Sequence, residues 1–289
     1  MKVGFIGLGA MGRPMALHLL EAGHELSVYA RRAEAAQPLV DAGATRRATP
    51  AEVAAASEVV FTMVTTGADV EAVALGEGGI IQGARAGTVL VDMGTIPPDT
   101  ARRIAARLAE RGIEAIDAPV SGGEVGARNA TLAIMAGGKA EVLARVRPLL
   151  EKLGRTLVHV GPSGAGQVAK ACNQMIMVSC IEAVAEAMLL AQRAGADPEK
   201  VRLALAGGSA GSRVLEVFGA KMTARDFKAG VEARLHHKDF GILLNEAVSL
   251  GAPLPVAAQV WQQLNALMAQ GRGREDTSVL LKVLERESQ

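Results

Sequence analysis

Residues 2–12, KVGFIGLGAMG, constrain this chain more than any other stretch. A short apolar run leads directly into Gly7, Gly9 and Gly12, spaced G-x-G-x-x-G, and the apolar periodicity that begins near Met11 is helical. A strand, a glycine turn and a helix mouth in that order make a dinucleotide-binding turn. The first glycine permits the tight turn, the second lets the backbone approach a pyrophosphate, and the third allows close helix packing. The open N–H groups and dipole of the helix start favour an anion. Gly7, Leu8, Gly9, Ala10, Met11 and Gly12 are therefore the expected cofactor contacts. A glycine turn in a domain that binds no nucleotide is the alternative reading of these residues taken alone.

From Lys2 to about Pro162 short apolar, β-branched runs alternate with helical stretches. KVGFIG, ELSVYA, EVVFTMV, TVLVDM, IEAIDA, TLAIMAG and TLVHVG read as strands, and helices begin near Met11, Pro50, Pro97 and Glu141. Such alternation predicts a mostly parallel sheet with helices on both faces. From Ser163 the strand signal disappears and Ala, Leu, Met and Glu take over, punctuated by glycine and proline. The expected fold is an α/β Rossmann-type N-terminal domain, residues 1–162, joined by a long helix to an all-α C-terminal domain, residues 163–289. That helix should cover about 164–194, roughly 45 Å at 1.5 Å per residue. The terminal RESQ is expected to fray.

Composition removes several classes of function. Against 31 Lys and Arg stand 30 Asp and Glu, and aromatic residues make up only 2%. Neither the basic footprint nor the stacking platforms of a nucleic-acid binder are present. Cys172 and Cys180 lie eight apart on one expected helix, about 12 Å, too far for a disulfide, which suits a reducing cytoplasm. The apolar patch at the N-terminus is short and already reads as strand plus turn, so no signal peptide is expected. The longest apolar run carries Glu182 and Glu186, which argues against a membrane span.

Two further places carry chemistry. The second strand ends about 18 residues after Gly12, where an NAD enzyme offers a carboxylate to the ribose hydroxyls. Here stand Ala30, Arg31 and Arg32. A guanidinium suits a 2′-phosphate, so NADP is the expected cofactor, with NAD possible; the alternative is two solvated arginines in a loop. In GQVAKACNQM, Gly166, Lys170, Asn173 and Met177 form one helical stripe. An ammonium on that apolar face either snorkels to solvent or moves a proton beside a nicotinamide, with Gly166 leaving room and Asn173 orienting a hydroxyl or carbonyl. Desolvation would draw such an amine down from its usual pKa of about 10.4.

GFIGLGAMGRPMALHLL, DMGTIPP, DAPVSGG, GAGQVAKACNQ and LHHKDF, in this order and spacing, resemble the β-hydroxyacid dehydrogenases, the 3-hydroxyisobutyrate dehydrogenase family, over nearly the whole chain. The resemblance implies a Rossmann domain joined by a long helix to a helical domain and an NAD(P)-dependent dehydrogenase. It implies Lys170 as catalytic general acid and base, Asn173 as a substrate contact, and Ser121, Gly122 and Gly123 as receivers of a substrate carboxylate. It places Val64, Thr65, Thr95 and Lys238 near the cofactor. His18, Gly94 and Val64-Thr65 depart from the family's common Asn, Ser and Leu-Pro. Within the family, segments such as DAPVSGGEVGA and ALAGGSAGSRVLE look most like the branch that reduces 2-hydroxy-3-oxopropionate to D-glycerate. Reduction of 3-hydroxyisobutyrate's semialdehyde, of glyoxylate or of succinic semialdehyde is the near alternative, and a non-catalytic NADP-binding interaction protein the distant one. The family implies a homodimer or homotetramer. No metal is expected, because His236 and His237 are adjacent and no carboxylate or cysteine cluster accompanies them.

Overall fold

The structure, a computed structural model, describes residues 1–285; the expectation for RESQ falls outside the described residues. The chain divides into two compact units, Met1–Lys170 and Ala171–Gln289. The division lies within the linking helix, whereas the sequence reading places it before that helix.

The first unit is built on nine strands: β1 Lys2–Ile6, β2 Glu25–Tyr29, β3 Thr45–Arg46, β4 Val59–Thr62, β5 Val89–Asp92, β6 Glu114–Asp117, β7 Val120–Ser121, β8 Leu132–Gly137 and β9 Gly154–Gly161. Their order is β3-β2-β1-β4-β5-β6-β8-β7, with β9 against β8. The six strands from β3 to β6 are all parallel, in the order 3-2-1-4-5-6 of a doubly wound dinucleotide fold. Antiparallel pairing enters only where β8 meets β6 and β7. Two elements too short to carry a period, β3 and β7, are absent from the sequence reading. So are the helices Gln37–Asp41, Gly67–Leu75, Ile80–Gly83 and Gly123–Arg128.

Strand residues alternate between two cores, as a sheet covered on both faces requires. Val3, Phe5, Val59, Phe61, Val89 and Val91 face one cluster, while Ile6, Val60 and Leu90 face the other. Phe5 and Phe61 are register partners on adjacent strands, and their rings stack with centroids 5.9 Å apart. Buried β-branched and aromatic side chains fix the register here, because a one-residue slip would send every one of them to the opposite face.

The linking helix runs Ala165–Arg193, 29 residues. By length and composition it could cross a membrane, but Val178, Ile181 and Ala185 belong to the core of the second unit. There they join Phe240 and Leu243 of helix Ala233–Leu250 and Val260, Leu264 and Leu267 of helix Pro255–Ala269. Among the described residues the second unit's only pairing of strand type is an isolated bridge, Glu232 to Asp276.

One buried group works against this core. Glu182 is 5% exposed, and neither carboxylate oxygen has a hydrogen-bond partner among the described residues. Burial, with the charge of Glu186 one turn on, pushes its pKa up from 4.5 to about 7. Between those values the native state holds a proton that the unfolded chain has released. Stability from this group is therefore full below about pH 4.5 and declines as pH rises to about 7. Glu182→Gln should stabilise the protein at pH 8 by on the order of 3 kcal/mol and make no difference near pH 4. Melting temperature against pH checks it, and parallel curves for the two proteins would refute it.

Candidate active site

The carboxyl ends of the parallel strands lead into the expected cofactor contacts of the first unit, at the edge of the sheet where ligands bind in open α/β folds. Gly7 follows β1, Arg31 follows β2, Val64 and Thr65 follow β4, and Gly94 and Thr95 follow β5. Gly7 stands at φ +97°, a region open to glycine but strained for other residues, and its N–H donates to the Tyr29 carbonyl at 3.1 Å. A Cβ on Gly12 would collide with the Gly7 carbonyl oxygen, whereas one on Gly9 would meet nothing within 4 Å. The turn is closed where helix and strand touch and open at the middle glycine. Gly9 and Ala10 are exposed and lead directly into helix Gly12–Glu21. That is a cradle shaped for a pyrophosphate, and the residues present fit the dinucleotide.

Arg31 is exposed and pairs with Asp69 at 3.4 Å. Asp69 also forms the capping box of helix Gly67–Leu75 with Thr66, whose hydroxyl donates to it at 2.7 Å. The box fixes the carboxylate, and the carboxylate in turn holds the guanidinium near the exit of β4. Thr-x-x-Asp before an apolar run was a legible signal for this helix. Arg32 is exposed.

Thr95 lies in a loop whose neighbours are tied down. The Gly94 N–H donates to Asp92 Oδ1 at 3.3 Å, and the Thr62 hydroxyl donates to the same oxygen at 2.7 Å. Gln167, 1% exposed, reaches over Thr95: its Nε2 donates to the Gly94 carbonyl at 2.9 Å, and its Oε1 accepts the Ile96 N–H at 3.1 Å. Asp117, at the end of β6, accepts the Gly164 N–H at 2.7 Å and the Gln167 N–H at 3.0 Å. Burial pushes its carboxyl above the usual range, the backbone N–H groups of the linking helix pulling the other way.

Lys170, one turn beyond Gln167, is 7% exposed. Gly166 serves a different purpose from the one expected. A Cβ there would collide with the Met135 carbonyl and come within 2.8 Å of Asp117 Oδ2, so the missing side chain lets the helix rest on the strand ends. Ser121 closes β7, and Gly122, at φ +133°, caps helix Gly123–Arg128. His18 Nε2 donates to the carbonyls of Ala127 and Arg128 at 3.1 and 3.0 Å, tying the helix of the glycine turn to the helix that follows Gly123.

In the second unit Asn173 Nδ2 donates to Gln174 Oε1 at 2.9 Å, Gln174 Nε2 donates to Asp239 Oδ2 at 2.6 Å, and Lys238 lies 3.1 Å from Asp239 Oδ1. The expected substrate contact and the expected cofactor lysine thus end one polar chain. His236 bonds Thr277, and His237 bonds Asn265 and stacks on Trp261. Asp117, Gln167, Gln174 and Asp239 are the polar residues that the sequence reading passes over. Their single visible signal is proximity in sequence to Ser121, Lys170 and Lys238.

A sheet of this order with an open glycine cradle defines a dinucleotide-binding protein. Comparison with known proteins narrows it. Residues 2–161 match the NAD-binding domain of 6-phosphogluconate dehydrogenase, and residues 164–284 match the NAD-binding domain of NADP-dependent 3-hydroxyisobutyrate dehydrogenase. The chain is 45% identical to the 2-hydroxy-3-oxopropionate reductase of Escherichia coli over 285 residues, 99% of this chain and 97% of that one. It is 37% identical to the 3-hydroxyisobutyrate dehydrogenase of Pseudomonas aeruginosa, over 89% and 88% of the two chains. The solved structure of Mycobacterium tuberculosis 3-hydroxyisobutyrate dehydrogenase with L-serine matches at a TM-score of 0.90 and 31% identity, covering 98% of each chain. The chain belongs to the NAD(P)-dependent β-hydroxyacid dehydrogenases, enzymes that oxidise or form a CH–OH group.

The cradle makes a discriminating prediction. Gly9→Ala should leave the melting temperature nearly unchanged while weakening NADPH binding about tenfold or more, near 1.4 kcal/mol. Gly12→Ala should lower both. Calorimetric melts and cofactor titration separate the two, and equal effects on melting would refute the assignment.

Proposed function

We propose that this chain reduces a small semialdehyde acid to a hydroxy acid with NADPH, the substrate being 2-hydroxy-3-oxopropionate and the product D-glycerate. The observation that carries the reading is the 45% identity, end to end, with the Escherichia coli 2-hydroxy-3-oxopropionate reductase. The shared match to 3-hydroxyisobutyrate dehydrogenases supports the same chemistry on a methyl-bearing substrate as the second reading.

In this mechanism the Ser121 hydroxyl and the N–H groups of Gly122 and Gly123 receive the substrate carboxylate. Asn173 orients the substrate oxygen. When bound, the reduced nicotinamide supplies a hydride to the aldehyde carbon. Lys170 gives its proton to the carbonyl oxygen as the C–O double bond becomes single, and in the reverse direction the neutral amine takes the hydroxyl proton. Burial of Lys170 supports this role, because a water-poor setting strengthens a hydrogen bond from its amine to the substrate oxygen. Gly7, Leu8, Gly9, Ala10, Met11 and Gly12 hold the pyrophosphate, and Val64, Thr65, Thr95 and Lys238 complete the cofactor site.

Arg31, with Arg32 beside it, recognises the 2′-phosphate; the Asp69 pair that steadies Arg31 and the want of a carboxylate after β2 support this preference. The enzyme works as a homo-oligomer. Ile176 and Leu190 on the linking helix, 61% and 71% exposed, suit a second copy. Its compartment is the cytoplasm, in keeping with two free thiols on one helix.

Lys170→Ala should lower kcat by about 10² to 10⁴-fold while the NADPH dissociation constant stays nearly constant; retention of most turnover would remove the role. A screen of NADPH and NADH oxidation with 2-hydroxy-3-oxopropionate, methylmalonate semialdehyde, succinic semialdehyde and glyoxylate decides the substrate. Binding of NADPH with no turnover of any would favour a non-catalytic binding protein. In the same screen Arg31→Ala should cost about tenfold in kcat/KM with NADPH and little with NADH.

A further inference from the structure

The start of the linking helix is held in an unusual way. A helix leaves four N–H groups without intrahelical partners, and a Ser, Thr, Asp or Asn immediately before the helix ordinarily takes one or two. Here the acceptor comes from the sheet, 47 residues earlier in the chain. Asp117 gives one oxygen to the Gly164 N–H and the other to the Gln167 N–H. Two glycines make the space. A Cβ on Gly137 would lie 2.7 Å from Asp117 Oδ1, and one on Gly166 would lie 2.8 Å from Oδ2. The same turn sends the Gln167 side chain in a different direction, where it takes the Gly94 carbonyl and the Ile96 N–H, on either side of Thr95.

Both side chains are almost wholly buried, 5% exposed for Asp117 and 1% for Gln167. Burying a carboxylate and a carboxamide carries a desolvation cost that a local cap at the surface would avoid. What the arrangement achieves is positional. Asp117 begins the segment that runs through Val120 to Ser121, and Gln167 brackets Thr95. Lys170 stands one turn beyond Gln167, about 4.5 Å along the axis. Three expected contact points are thereby set in one rigid frame, within the first unit.

We propose that Asp117 and Gln167 are positioning residues that hold Lys170 in register with the Thr95 loop, so that its amine meets the carbonyl oxygen at hydrogen-bonding distance. The inference rests on the reading of Lys170 as proton donor. A displacement of about 1 Å in a proton donor costs on the order of 10²-fold in rate, which sets the size of effect to look for.

The test is a double-mutant cycle on the full-length enzyme, read as the single-turnover rate of NADPH oxidation with whichever of the four aldehyde acids turns over fastest. Gln167→Met removes both side-chain bonds. Gln167→Glu and Asp117→Asn keep shape and one acceptor, and serve if the first variant does not fold. With Lys170 present, each should slow the step about 10- to 100-fold, with NADPH affinity and substrate KM changed less than about threefold. In the Lys170→Ala background the same substitutions should change the residual rate by less than about twofold, because residues acting through one group are not additive. Equal losses in both backgrounds, or folded variants at full rate, would overturn the clamp while leaving Lys170 as the acid. Full turnover by Lys170→Ala alone would instead overturn the reading of the lysine.

Discussion

The union of one carboxylate with the first turn of one helix governs the layout of this protein. Asp117 closes β6 and takes two N–H groups of the linking helix, so the helix begins directly on the edge where the parallel strands end. That edge also holds the glycine turn and the loops after β4 and β5. Had the helix been capped by its own preceding residues, β6 would have no hydrogen bond to its first turn, and Gln167 alone would tie that turn to the loop after β5. The absence of a side chain at Gly137 and Gly166 is part of the same contact, because either Cβ would intrude on the carboxylate or on backbone.

Polar burial is distributed with a pattern. In the first unit Asp92, Asp117, Thr62 and Gln167 are buried, and each is engaged at the carboxyl edge of the sheet. In the second unit Gln174 and Asp239 bond one another, with Asn173 and Lys238 at the ends of the chain. Glu182 differs, a carboxyl in an apolar core with neither oxygen engaged among the described residues, and Ser179 Oγ and Gln270 Oε1 are likewise buried there without a hydrogen bond. Buried polar groups that are satisfied impose a single geometry, and an unsatisfied one withdraws stability. In the first unit the satisfied kind stands beside the expected contact residues, and the unsatisfied kind lies in the apolar core of the second unit.

His18 and Arg31 show how a departure in sequence is absorbed. His18 stands where the family commonly has Asn, and its ring donates to two carbonyls that end the helix after Gly123. Arg31 stands where an NAD enzyme carries a carboxylate, and Asp69 from a neighbouring helix supplies the negative partner. In both cases the side chain is engaged through a group distant in the chain.

Local pattern was enough for much of this molecule. The seven longest strands, the glycine turn and the long helix were visible because short apolar β-branched runs, the G-x-G-x-x-G spacing and an unbroken helical run are properties of adjacent residues. A Lys on an apolar stripe likewise announced itself. What folding in three dimensions decided was which polar groups meet: Asp117 with Gly164, Gln167 with Gly94, Arg31 with Asp69. Short elements such as β3 and β7 also had to wait, since two residues carry no period and pair only because a neighbouring strand is already there. Hydrogen bonds and ion pairs between residues dozens of positions apart leave no periodic trace in one chain, because their partners are chosen by where the strands end in space.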